Sequence, residues 1–402
     1  MDATYDGDLV RAGRQAREQF YDARGYGRPD DGGVVLDPVE AAHLLFRGDL
    51  DAVVDGRSGD QDRLDFRAFL SSTAVSEVAF FVYKDLRDRG FYLTPTRENW
   101  VSETTGDFVV YPRGKGPWDD AVAYRIRAVS ERADVTAETL QTLATAGDSE
   151  DAGGEDAGSD ATESSGTASG ETASSDATES SATTSGETAS SEGTGVLAVV
   201  DEESELTYLE VTNPTISGST HHDISAVSGD LLSDRVLVWE PPSNLHDRAF
   251  YGQRLDDNGG DVQLSLVEGA YLASQGTLSL AGGDDTDGVD DEQAVVDRGR
   301  AVEGERFDRR LRVYSALRTA GVVPKTGFKF GADFRTYADV ESVDNLGHSE
   351  LLVRVLSPTH TFAPRDLALD VRLAHGVRKR MVFALTGANE GIDWLSVSRL
   401  TP

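Results

Sequence analysis

Apolar positions in the last hundred residues fall into two periods. In "RFDRRLRVYSALRTAG" (306–321) they stand at Leu311, Val313, Tyr314 and Leu317, the spacing of an amphipathic helix that Gly321 ends. "PRDLALDVRLAHGVRK" (364–379) predicts a second helix. Pro364 falls near its first position and Asp366 in its first turn, both suited to a helix N-terminus, and Leu367, Val371 and Ala374 share one face. "VEGAYLAS" (267–274) is a third helical stretch. "SELLVRVLS" (349–357) is a continuous apolar run, which predicts a buried strand, and "RMVFALT" with "DWLSVSRL" predicts two paired strands. "GFKFGADFRTYA" (327–338) predicts a strand with glycine breaks. The fold class expected is α/β in the α+β sense: mixed sheets flanked by helices.

The same order of segments occurs twice. "YGRPDDGGVVLDPVEAAHLL" (26–45) parallels "YGQRLDDNGGDVQLSLVEGAYLA" (251–273), and "YKDLRDRGF" (83–91) parallels "YSALRTAGV" (314–322). "DFVVY" (107–111) parallels "DFRTY" (333–337), and "VLAVVDEESELTYLEV" (196–211) parallels "MVFALTGANEGIDWLSV" (381–397). The chain therefore reads as two copies of one unit, residues 1–212 and 220–402. Each copy divides into a small N-terminal α/β part and a C-terminal mixed sheet, at about 220–300 and 305–402 in copy two. Residues 147–194 interrupt copy one with 12 acidic residues, no basic ones and a 16-residue tandem repeat. Such a segment cannot bury enough apolar surface to offset its ordering entropy, and a disordered, solvated spacer is expected.

Charge changes the picture next. The 402 residues carry a net charge of −33, and lysine supplies only five of the 38 basic residues. An acidic, arginine-over-lysine surface around a chain with 38% apolar residues fits a folded protein working in concentrated salt. There is no cysteine, so disulfides and thiolate metal sites are excluded. The N-terminus lacks a secretory pattern and no apolar stretch approaches a membrane span, so a cytoplasmic protein with no membrane partner is expected. The acidity is uneven. Residues 301–402 hold 15 basic and 12 acidic residues, the footprint expected of an anionic partner. Within them Arg378, Lys379 and Arg380 are consecutive.

The copies differ at polar positions. After Tyr337 comes "ADVESVDNLGHSELLVRV", with His348; after Tyr111 comes "PRGKGPWDDAVAYRIRAV", with no histidine. Lys379 falls near Gly193 of copy one. The ordered set "GFKFGADFRTY", "HSELLV" and "RLAHGVRKRMVFA", followed by a tryptophan at the last strand, resembles the archaeal tRNA-intron splicing endonucleases. The resemblance covers copy two fully and copy one in degenerate form, and is to the two-repeat, single-chain, homodimeric type.

The resemblance implies a catalytic trio of Tyr337, His348 and Lys379. It implies Tyr337 as base, His348 as acid and Lys379 as electrostatic stabiliser, with no metal and no cofactor. RNA carries its own nucleophile, the 2′-hydroxyl beside the phosphate that is cut. Histidine exchanges protons near neutrality, lysine is a compact charge for phosphate oxygens, and tyrosine is a poor base unless a cation favours its phenolate. The implied products are a 2′,3′-cyclic phosphate and a 5′-hydroxyl. The implied partners are a second copy of the chain and precursor tRNA, or precursor rRNA, with a bulge–helix–bulge motif. Arg372 and Trp394 match positions that sandwich a bulged base across the dimer. Stacking of this kind keeps its strength as salt weakens phosphate contacts.

Other readings remain open at this level. Singly, a strand tyrosine is usually a core residue, a histidine before a strand is usually solvated, and basic residues at a helix end often only complement its dipole. Two function classes compete with the enzyme: a non-catalytic RNA-binding subunit that has kept the fold, and a metal-dependent nuclease of related topology. His221-His222 lacks supporting ligands, no Walker loop is present, and "GHSEL" lacks the second glycine of a nucleophile elbow. The acidic "DEESE" (201–205) suits either docking into a basic pocket on a partner or simple solvation.

Overall fold

A computed structural model describes all residues except 58–61, 73–74, 103–104, 120, 147–192, 257–259, 282–289 and 388–390. The acidic spacer expected at 147–194 thus lies almost wholly outside the described residues. Among the described residues no helix is long and apolar enough to cross a membrane.

Each copy starts with a small sheet that a capped helix covers. In copy one the helix Pro38–Arg47 starts with a capping box between Asp37 and Glu40 and has Pro38 in its first turn; it stops at Gly48, whose φ of 75° suits a residue without Cβ. In copy two Ser265 and Glu268 form the same box for the helix Leu266–Ser274. Both glutamates are buried and accept a second, distant amide: Gly27 N–H to Glu40 at 2.8 Å, and Gly252 N–H to Glu268 at 2.9 Å. The cap box also pins the preceding turn, and so "YG" and "VE" recur in both copies although 13 residues separate Gly27 from Glu40 and 16 separate Gly252 from Glu268. An arginine of a later helix obeys the same rule. Arg87 bonds the Tyr83 hydroxyl and lies 3.9 Å from the Tyr26 ring centroid; Arg318 bonds the Tyr314 hydroxyl and lies 3.8 Å from the Tyr251 centroid.

The C-terminal parts share one ten-stranded sheet. From the copy-two edge its strands are Val323–Thr326, Phe334–Tyr337, Leu351–Leu356, Arg380–Leu385 and Asp393–Leu400. The order then mirrors through Leu206–Thr212, Thr194–Val200, Tyr124–Ser130, Phe108–Val110 and Leu93–Pro95. The halves meet in an antiparallel pairing that runs from Tyr208↔Leu400 to Thr212↔Ser396. On one face the helices Ala137–Thr145 and Pro364–Gly376 share an apolar core with Leu197, Phe383 and Leu395. On the other face the helices Glu77–Asp88 and Arg306–Thr319 join each half of the sheet to its own N-terminal part.

The mixed α/β fold, its repeat and the expected helices are present. "GFKFGADFRTYA" differs from the expectation. Its strand is only Phe334–Tyr337, because Phe328–Phe330 closes a short 3₁₀ turn that Gly331 (φ 70°) ends. The turn leaves Phe328 86% exposed.

Candidate active site

Lys379 is placed by the way its helix ends. Arg378 N–H bonds the His375 carbonyl and Lys379 N–H bonds the Ala374 carbonyl, the two bonds of a Schellman cap. The cap needs a left-handed residue at position 378, and Arg378 fills it with φ 57°. The chain then reverses into the strand Arg380–Leu385. Lys379 Nζ donates to the Ser349 carbonyl at 2.6 Å and stands 5.8 Å from the Phe330 ring centroid. Partial burial, and then the positive charge of Arg335, lower its pKa from the usual lysine value.

Ser349 follows His348, so the lysine that leaves the helix grips the loop that carries the histidine. That loop is tied on both sides: Glu350 N–H bonds the Thr336 carbonyl, and Arg380 N–H bonds the Glu350 carbonyl. His348 is exposed. An open groove of about 750 Å³ is lined by His348, Ser349, Glu350, His375, Arg378 and Lys379, together with Gly376 and Arg380.

Tyr337 enters from the next strand. It ends Phe334–Tyr337, pairs with Val323, and is buried with Phe250, Val323 and Val340. The Phe250 ring lies 5.8 Å from the Tyr337 ring and the Arg335 guanidinium 5.7 Å from it. His348 and Lys379 thus share a groove wall, while Tyr337 approaches from one strand away and does not line that wall. Arg372 and Trp394 are set apart within one chain. Arg372 is exposed near the C-terminal end of Pro364–Gly376, on one face of the sheet. Trp394 is half-buried, pairs with Ala384 near the far end of Arg380–Leu385, and packs into the core on the opposite face.

Register shows what copy one has at these positions. Ala123 N–H bonds the Val110 carbonyl as Glu350 N–H bonds that of Thr336, and Thr194 N–H bonds Ala123 as Arg380 N–H bonds Glu350. His348 therefore corresponds to Ala121, and Lys379 to Gly193. Tyr337 corresponds to Tyr111, whose hydroxyl lies 3.0 Å from the Thr94 hydroxyl. The residue at the Thr94 position in copy two is Lys325. It donates to Glu268 at 3.1 Å and to the carbonyls of Phe250 and Gly252.

The family model described as "tRNA intron endonuclease, catalytic C-terminal domain" matches residues 307–394. The model described as "tRNA intron endonuclease, N-terminal domain" matches twice, at 1–70 and 227–294. The chain belongs to the tRNA intron endonuclease family. It is 55% identical to a protein named tRNA-splicing endonuclease from Haloarcula marismortui over 100% of both chains. It is 51% identical to one of the same name from Natronomonas pharaonis, again over 100% of both. A further relative of that name, from Methanosarcina mazei, is 34% identical over 98% of this chain and 97% of its own.

The family's catalytic domain thus coincides with the groove. Sequence reasoning passed over three residues, two on the groove wall and one beside Tyr337. His375 lines the groove from the last turn of the helix, just before the cap that places Lys379. Glu350 anchors the histidine loop from both sides. Arg335 lies two residues before Tyr337, on the same side of its strand. Alternation puts Arg335 on the side of Tyr337, but its lack of a carboxylate partner among the described residues, like the roles of the other two, depends on how the chain packs.

Proposed function

We propose that this enzyme cuts precursor tRNA at both intron boundaries within a bulge–helix–bulge motif, without a metal, and cuts precursor rRNA bearing the same motif. The observation that carries this reading is the groove wall on which Lys379 Nζ holds the loop of His348, set against Ala121 and Gly193 at the same register of copy one. Copy two (220–402) is the catalytic repeat and copy one (1–212) its structural partner. Tyr337 takes the proton of the 2′-hydroxyl. The 2′-oxygen attacks phosphorus, and the bond from phosphorus to the 5′-oxygen breaks. His348 protonates that oxygen, and Lys379 offsets the charge that gathers on the phosphorane. The products are a 2′,3′-cyclic phosphate and a 5′-hydroxyl.

Two cuts call for two such sites. A homodimer in the cytoplasm supplies them about a twofold axis that matches the pseudo-symmetry of the RNA. The positions of Arg372 and Trp394, on opposite faces of one chain, favour a sandwich in which one of them comes from each protomer.

The test is incubation in molar KCl with chelator and an end-labelled, intron-containing precursor tRNA. Cut ends bearing cyclic phosphate and 5′-hydroxyl are expected. His348→Ala should lower the rate by about 100-fold or more with the fold intact, since the side chain is exposed. A His348→Ala protein that cuts at the parent rate, or cutting abolished by chelator, would sink the reading.

A further inference from the structure

Arg335 is a charge that the fold does not need. Its cross-strand neighbour is Lys325, and like charges placed directly opposite each other destabilise a sheet. Lys325 escapes by turning to Glu268 and two carbonyls. Arg335 has no such outlet: among the described residues it makes no ion pair and no hydrogen bond, and its Nε is buried without a partner. This is notable in a chain of net charge −33. Nearby Arg306 and Arg310 both reach Asp333, and Arg354 reaches Asp370.

Its place is between the two parts of the site. It lies along the ring of Tyr337 and is close enough for its charge to act on Lys379. It also borders a cavity of about 480 Å³ that runs under the N-terminal part of copy two, past Phe250, Gln263 and Lys325. Copy one supplies the comparison. The pair Lys325↔Arg335 becomes Thr94↔Val109, an ordinary strand pair, in the same repeat that has Gly193 for Lys379. The arginine that does serve the fold is present in both copies, as Arg87 and Arg318.

We propose that Arg335 is a further catalytic residue, which binds the phosphate chain at the cut alongside Lys379 while its guanidinium edge holds the Tyr337 ring in place. A guanidinium presents a planar fork of donors that suits phosphate oxygens, and a half-buried one without a counter-ion is left to be paired by the substrate. The inference rests on the cleavage reading above. An inactive parent protein would therefore fail that reading, whereas an active parent with a dead His348→Ala control leaves Arg335 to be judged alone.

The experiment compares the parent with Arg335→Val, the residue copy one carries in this strand, and Arg335→Met, which keeps the aliphatic stem. Melting temperature and single-turnover cleavage of the labelled precursor are measured at fixed KCl. Melting temperature should hold or rise, because a like-charge pair is removed, while the rate falls by about 100-fold or more. Binding of a precursor with a 2′-deoxy block at the cut should lose about one unit of slope against log salt. Cutting within threefold of the parent by either variant overturns the proposal. So does loss of folding in both, which would make Arg335 a residue of the fold.

Discussion

Arg378 shows how much geometry one residue can carry. The helix before it ends in a motif that is usually built with glycine, because a Cβ in the left-handed region meets the neighbouring carbonyl at a cost of about 1 kcal/mol or more. Here that position is an exposed arginine on the groove wall. Strain of this kind persists where a side chain is used. Arg378→Gly should therefore stabilise the protein by about 1 kcal/mol in urea denaturation while weakening RNA binding at moderate salt. A destabilised variant would show that the strain is not there. The lysine and histidine were legible in sequence because their chemistry is tied to short fragments. Arg335 was hidden because its significance is a missing counter-ion, and which carboxylates reach a strand is settled only by packing.

Among the elements, the two capped helices pose a cleaner contrast. Both bury a glutamate, yet the glutamates titrate in opposite directions. Burial pushes Glu268 up, but Lys325, the amides of Ser265 and Gly252, and Arg318 outweigh it and hold its carboxyl at about 2. Copy one has Thr94 at the position of Lys325, so among the described residues Glu40 has no lysine partner, and burial pushes it up to about 7 despite its two amide partners. A raised carboxyl keeps a proton that the unfolded chain has released. Its protonation therefore costs nothing at acid pH, and stability is lost as pH rises from about 4.5 to about 7, by up to about 3 kcal/mol. The Glu268 contribution has the reverse sign: it is present above the ordinary 4.5 and lost as pH falls toward 2. Glu40→Gln should gain melting temperature relative to the parent between pH 5 and pH 8 in KCl. A gap that stays constant across that range would contradict the assignment. The start of Pro364–Gly376 was legible from Pro364 and Asp366, since the preferences of a helix's first turn are local. The 3₁₀ turn at Phe328–Phe330 was not, because glycine spacing marks a break without saying what fills it.

For the whole molecule the decisive feature is the seam between the copies. Pairing of Leu206–Thr212 with Asp393–Leu400 makes one continuous sheet, with the side-chain bond from Ser398 to Glu210 at 3.0 Å across it. Only one half of that sheet carries a histidine and a lysine at the groove positions. On the proposed homodimer, each protomer then makes one cut. Mixed dimers of parent and His348→Ala chains, isolated with two different tags, should release RNA cut at a single boundary. Complete excision of the intron by such mixed dimers would rule out one site per chain.

The sequence by itself determined the repeat, the helix that starts at Pro364, the apolar strands and the residue types on which the proposed chemistry rests. Each of these is written in local spacing, and local spacing is set by backbone geometry within a few residues. Tertiary structure alone decided which strands meet at the seam, that Arg372 and Trp394 face opposite ways, and that Lys325 finds a carboxylate while Arg335 does not. Those outcomes depend on contacts between residues far apart in the chain, whose energies are fixed by burial and by the charges that packing brings near.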